Sequence, residues 1–282
     1  MSIFQAVILG IVQGLTEFLP ISSSAHLTLV GKAMGLISVE RPEAWTAFIA
    51  VIQLGTLVAI LLCFARDIAR ISSAFARENL AERRAFSEQS HDSIMGWYVC
   101  IGTAPIVAIG LALKRLIESN LTKDVTLIAW TLITLGLALW IAEWTGKQNR
   151  TLNDLTWKDA LIIGFAQTLA LFPGASRSGT TITAGLFIGL QRATAARFSF
   201  LLSIPAIFAS GVLQAREAFN GSISAEDFLA VAVATVVSGV AGYAAIAFLL
   251  RYLQTHSTFV FTAYRVALGV ALLTVWKTLF AS

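Results

Sequence analysis

Two short segments of this chain gather side chains suited to phosphate chemistry. In QGLTEFLPISSSAH (Gln13 to His26), a carboxylate, Glu17, precedes the hydroxyls of Ser22, Ser23 and Ser24 and the imidazole of His26. A serine becomes a nucleophile when a neighbouring base takes its proton, and a carboxylate or an imidazole is such a base. In PGASRSGTT (Pro173 to Thr181), a helix breaker leads into Ser176, Arg177, Ser178 and Thr181. Arg177 offers a planar donor fork matched to phosphate oxygens, and the hydroxyls add further donors. The N–H groups of Ser178, Gly179 and Thr180 are expected near a helix start, where the dipole favours an anion. Together the segments point to hydrolysis of a phosphoanhydride.

In that reading Ser23 attacks or positions water, His26 moves the proton, and Glu17 orients the imidazole or binds a hard divalent cation. Arg177, Ser22, Ser176, Ser178 and Thr181 hold phosphate, with Gln13 and Gln53 added to the binding set. Plainer roles stand beside these. Glu17 neutralises Arg177, His26 is a satisfied interior histidine, and the three serines cap a helix. Gln13, Gln53 and Gln167 suit interhelical hydrogen bonding. Arg265, inside an apolar run, snorkels or pairs rather than reacts.

These residues must be positioned inside a membrane. The 282-residue chain is 57% hydrophobic and 13% charged, with a mean hydropathy of +0.77. Soluble domains carry about 25% charge, so an ordinary cytosolic globule, a disordered chain and a disulfide-rich module are excluded. Cys63 and Cys100 sit in apolar runs and suggest neither a disulfide framework nor a metal cluster. The net charge of +4 reflects basic loops, and no nucleic-acid partner is expected. No cleavable signal peptide is expected, because the N-terminal apolar run lacks a basic leader and meets Glu17.

The expected fold is an all-α polytopic membrane protein, with six transmembrane helices and two re-entrant helical hairpins in an inverted-topology repeat. The spans are expected at Trp45 to Ala65, Ser93 to Leu113, Val125 to Ala142, Phe198 to Ala215, Phe228 to Leu250 and Phe259 to Phe280. Each is long enough for a hydrocarbon core of about 30 Å. The broken apolar pieces, 3–36 and 160–190, read as hairpins, since irregular backbone at membrane depth must line a cavity or be buried in protein. Ala6 to His26 aligns without gaps to Ala160 to Thr180, with Gly10/Gly164, Gln13/Gln167, Ser22/Ser176 and Ser24/Ser178 among the identities.

One hairpin and three spans per half make the halves, 1–150 and 151–282, enter from opposite sides, within a single integral membrane domain over 1–282. Such folds place their site at the repeat interface. The N-terminal side carries Lys32, Arg41, Lys114, Arg115, Lys123, Arg216 and Lys277, and the other side carries eleven basic residues. That bias puts both termini outside, the 66–92 loop in the cytoplasm, and the site open to the outer face.

The two motifs resemble those of the undecaprenyl-diphosphatase family, the bacitracin-resistance lipid phosphatases. QGLTEFLPISSSAH matches the family's glutamate-or-glutamine, three residues, glutamate signature, and PGASRSGTT its Pro-Gly-x-Ser-Arg-Ser signature. VIQLGTLVAI (Val51 to Ile60) and RFSFLLSIP (Arg197 to Pro205) also look like family segments. The resemblance covers essentially the whole chain. It implies hydrolysis of undecaprenyl diphosphate to undecaprenyl phosphate and inorganic phosphate in the bacterial inner membrane, recycling the carrier lipid for cell-wall synthesis. It also implies functional roles for Glu17, Ser23, His26, Ser176, Arg177 and Thr181, a divalent cation (Mg2+ or Ca2+), and a homodimer. Gln13 stands where many members carry a first glutamate, which lowers the anionic ligand count. The alternative is a flippase for an anionic polyprenyl phosphate lipid, because opposing hairpins are also transporter architecture.

Overall fold

A backbone surrounded by lipid must satisfy its own hydrogen bonds, so uncharged apolar runs become helices. The computed structural model describes residues 1–40, 42–217 and 225–276. The described residues form no strand, only an isolated bridge between Arg150 and Leu190. In chain order the α-helices are α1 (Ile3–Phe18), α2 (Ser23–Ala33), α3 (Pro42–Cys63), α4 (Ala65–Ala76), α5 (His91–Ala112) and α6 (Lys114–Glu118). They continue with α7 (Val125–Thr145), α8 (Trp157–Thr168), α9 (Arg177–Phe187), α10 (Arg192–Glu217), α11 (Ala225–Tyr252) and α12 (Phe259–Ala271).

Five stretches are long and apolar enough to cross a membrane: Pro42–Cys63, His91–Ala112, Val125–Thr145, Arg192–Gly211 and Phe228–Tyr252. Large apolar side chains such as Trp130, Trp140, Phe208, Val240 and Phe248 stand exposed along them, as lipid-facing residues do. The chain is a multi-pass membrane protein. A sixth long span is not seen among the described residues. The apolar helix there covers only Phe259–Val275, loosened into a π-turn over Leu272–Trp276, and the end of the expected run lies outside the described residues. Arg41 and Lys277, used for orientation, also lie outside them, as does the Arg216 side chain.

The 160–190 segment starts earlier than hydrophobicity suggests. α8 opens at Trp157 under a capping box between Thr156 and Asp159. α10 likewise opens at Arg192, because its charged first turns are held: Arg192 Nε donates to Glu143 (2.5 Å) and Arg197 to Asp67 (2.5 Å). The 66–92 segment opens with the amphipathic surface helix α4, but Glu78 just beyond it is buried, accepting from the N–H and hydroxyl of Ser90 (both 2.7 Å).

The halves exchange packing partners. α1 packs on α11 and α8 on α5; α3 packs on α10, and α7 on α12. Small residues permit these approaches, as is usual between helices in lipid. A Cβ added to Gly14 would lie 2.5 Å from the Ser238 carbonyl oxygen, and one added to Gly164 would lie 2.4 Å from that of Gly102. The ends of the two broken pairs lie at opposite ends of α7. Val39, beyond α2, accepts from Asn120 before α7, whereas Ile188, beyond α9, accepts from Arg150 after α7.

Candidate active site

Each broken pair turns on a serine. Pro20 cannot continue α1, and Pro173 with Gly174 ends the run after α8. Ser22 (φ 76°) and Ser176 (φ 68°) then adopt the left-handed region, which is strained for a residue with a Cβ. Each caps the next helix in the same way. Ser22 Oγ accepts from Ala25 N (3.3 Å) and lies 3.1 Å from Ser24 Oγ. Ser176 Oγ accepts from Gly179 N (3.1 Å) and lies 3.1 Å from Ser178 Oγ.

The two turns meet. Glu17, buried at the end of α1, pairs through Oε1 with the Arg177 guanidinium at the start of α9. Its Oε2 accepts from Ser23 Oγ (2.6 Å), Gln13 Nε2 (2.9 Å) and Gln53 Nε2 (3.4 Å). Ser178 Oγ donates to the Leu19 carbonyl across the junction (3.1 Å). Glu17, Ser22, Ser23, Gln53, Ser176 and Arg177 line a cavity of about 290 Å³. Its remaining walls are largely apolar: Ile106, Val107 and Leu111 of α5, Leu171, and Ala206 and Ala209 of α10. Interior prolines, Pro105 and Pro205, precede both of these helical walls.

α6 also contributes to the wall, through Lys114, Ile117 and Glu118, and Lys114 Nζ lies 3.8 Å from Glu118 Oε1. Lys123 anchors this segment by donating to Thr46 Oγ1 (2.7 Å) and to the Ser119 (2.9 Å) and Glu118 (3.1 Å) carbonyls. Burial pulls the Lys123 ammonium down to about 8, against the opposing pull of Glu118 and Glu43.

Not every expected site residue faces this cavity. His26 does not line it. Its Nδ1 lies 2.7 Å from the Ser22 carbonyl oxygen and its Nε2 2.6 Å from Tyr264 Oη. Thr181 is fully buried, bonded to the Arg177 carbonyl (2.8 Å) and Ser199 Oγ (2.6 Å). Ser178 and Gln13 stand behind the lining. The expected amide cradle is reduced. Gly179 N is taken by Ser176 Oγ and Thr180 N by the Ser176 carbonyl (2.9 Å), because the helix caps itself. Gln167 is no interhelical bond: its buried amide has no partner among the described residues.

Arg265 is the residue that sequence reasoning missed. It neither snorkels nor pairs with an acidic side chain among the described residues. Fully buried on α12, it donates to the carbonyls of Pro20 (3.3 Å), Gly174 (3.2 Å), Ala175 (3.0 Å) and Leu132 (3.4 Å). One guanidinium thus ties both turns together. The available signal was a lone arginine in an apolar run, expected there to snorkel or pair.

A divalent cation held by the protein alone does not suit these donors. Among the described residues the cavity is lined by two carboxylates: Glu118 lies 3.8 Å from Lys114, and a guanidinium and three neutral donors already occupy the oxygens of Glu17. A hard cation prefers six or more oxygen ligands. Among the described residues no group of three or more His, Cys, Asp or Glu side chains could hold a metal ion.

Comparison with known proteins adds a separate line. The family model described as bacitracin resistance protein BacA matches residues 6–271. A protein of Syntrophobacter fumaroxidans named undecaprenyl-diphosphatase is 56% identical over 273 residues, covering 97% of each chain. Proteins of the same name from Chloroherpeton thalassium and Chlorobium phaeobacteroides are 52% and 50% identical, each over 97% of this chain and 96% of theirs.

Proposed function

The chain belongs to the bacitracin resistance protein BacA family, and from that premise we infer that it hydrolyses undecaprenyl diphosphate to undecaprenyl phosphate and inorganic phosphate. One observation carries the site assignment: Ser23 Oγ donates to Glu17 Oε2 at 2.6 Å, beside Arg177, in a cavity whose further walls are largely apolar. The polar end suits a diphosphate and the apolar walls a polyprenyl chain.

The terminal phosphate sits against Arg177, Ser176 and Ser22, which stabilise its developing charge. Ser23 Oγ attacks the terminal phosphorus as its proton passes to Glu17. A P–O bond forms to Ser23, and the bond to the bridging oxygen breaks. Undecaprenyl phosphate leaves, and water then releases inorganic phosphate from Ser23. The transition state of phosphoryl transfer is loose, so it asks little of the base and much of the positioning groups. Gln13 and Gln53 hold the Glu17 carboxylate.

For the membrane arrangement, α1–α2 and α8–α9 are read as re-entrant hairpins entering from opposite faces, within an inverted repeat. The exchanged packing of the halves, the matching serine turns and the placement of the pairs at opposite ends of α7 support this reading. With both termini read as outside, the α6 wall supports a cavity open toward the outer face.

The test is phosphate release by purified protein in detergent from a polyprenyl diphosphate, with and without chelator. Release lost in Ser23→Ala and Glu17→Gln supports the reading. Intact lipid crossing vesicles with no phosphate released would overturn it in favour of a flippase.

A further inference from the structure

His26 is the one expected catalytic side chain that lies off the cavity, and its bonds define what it does. Nδ1 lies 2.7 Å from the Ser22 carbonyl oxygen, an atom that can only accept. That nitrogen therefore carries the proton. Nε2 is then the acceptor, and Tyr264 Oη, 2.6 Å away, donates to it. The two rings also stack, with centroids 5.6 Å apart and planes 10° from parallel. Both nitrogens are used, and neither faces Ser23.

The carbonyl that His26 holds belongs to Ser22, the residue in the left-handed region at φ 76°. A strained turn persists only when its surroundings over-determine it. Here the main-chain bond from His26 N to the same carbonyl is long, 3.3 Å, so the imidazole supplies the shorter one. Ser23, the next residue, takes its direction from that turn. In the second half the aligned residue is Thr180. Its hydroxyl goes to the Arg177 carbonyl (3.0 Å), and the adjoining turn is held instead by Arg265 on Gly174 and Ala175. Arg265 also reaches the first turn, at Pro20, so it is the charged group next to this arrangement.

We propose that His26 is a positioning residue that fixes the Ser22–Ser23 turn through Nδ1–H, and that Tyr264 is a second positioning residue that locks the imidazole in that tautomer. The proposal rests on the hydrolytic reading of the site and refines the roles within it. Proton transfer then belongs to Glu17 alone.

Asparagine and glutamine separate the possibilities. Asparagine places an N–H where Nδ1 stands, glutamine places one near Nε2, and neither carries a proton as histidine does. In phosphate-release assays on the purified full chain, His26→Asn is expected to keep kcat within about tenfold of wild type, with unchanged KM and an unchanged pH profile. His26→Gln and His26→Ala are expected to lose about a hundredfold or more. Tyr264→Phe keeps the stacked ring and loses only the hydroxyl, and kcat is expected to fall about fivefold at constant KM. Nitrogen-15 NMR of histidine-labelled wild type, which needs no variant to fold, is expected to show a neutral Nδ1–H imidazole at position 26.

His26→Asn as inactive as His26→Ala, or an Nε2–H tautomer, would overturn the proposal. Wild-type rates in Tyr264→Phe would remove the tyrosine. Wild-type protein that releases no phosphate would instead overturn the hydrolytic reading, and the tautomer would still decide the hydrogen-bond arrangement.

Discussion

Glu17 Oε2 accepts the Ser23 hydroxyl at 2.6 Å although the two residues lie on different helices, separated by the break at Pro20. The same carboxylate binds Arg177 from the other half of the chain. A base, a hydroxyl and a guanidinium thus share one contact. That contact exists only because the chain breaks twice.

Glu17 and the substrate compete for Arg177. Glu17→Gln is expected to lower kcat by about 10²–10⁴ through loss of the base. Diphosphate is expected to bind more tightly, since the guanidinium loses its anionic partner. Steady-state phosphate release and equilibrium binding of a polyprenyl diphosphate measure the two effects, and wild-type kcat would remove Glu17 from the chemistry.

Arg177→Lys replaces a bidentate fork with a point charge. By analogy with loss of one preorganised donor, kcat is expected to fall about 10²–10³-fold. Near wild-type turnover in the same assay would show that Arg177 only neutralises Glu17.

Arg265→Met removes the tie between the turns. It breaks four bonds to carbonyls but also relieves a buried charge whose desolvation costs several kcal/mol. The expected net loss of stability is therefore small, about 1–3 kcal/mol, while activity falls a hundredfold or more, on the order expected when the site loses its geometry. Thermal unfolding in detergent and phosphate release separate these effects. Full activity would show that the turns hold without the tie.

Asp159 supplies a pH test at the start of α8. Burial pushes its carboxyl upward, but the Arg150 guanidinium and the Thr156 hydroxyl and N–H outweigh that and hold it below its ordinary 3.8. The contribution to stability is therefore fully present above about pH 4 and is lost as the pH falls through the lower folded value. The difference in melting temperature between wild type and Asp159→Asn is expected to be constant from pH 7 to 5 and to shrink below 4. A difference that persists unchanged at pH 3 would assign the effect to packing.

The membrane class, the long apolar helices, the two breaks and the residues that meet at them, Glu17, Ser23 and Arg177, were legible in the sequence. Each is a local property: charge-free length, a proline, or a residue type in a motif. The matching of Ser22 with Ser176 was legible too, as aligned identities. The direction of a side chain was not. His26 follows Ser23 by three positions on α2, a spacing that puts both on roughly one face, yet its ring is drawn off the cavity by the Ser22 carbonyl and Tyr264. Gly179 and Thr180 were expected to offer N–H groups, but the serine cap takes them first.

Arg265 shows where local reading stops. A lone arginine in an apolar run looks the same whether it snorkels, pairs with an acid or solvates carbonyls, because its partners lie far away in the chain. By itself the sequence determined the kind of molecule and pointed to the residues proposed to react. Only the tertiary structure decided that α12 crosses behind both turns, so that one guanidinium holds them and a tyrosine holds the histidine. The physical reason is that a buried donor is satisfied by whatever acceptor the fold brings within about 3 Å, and spacing along the chain does not specify it.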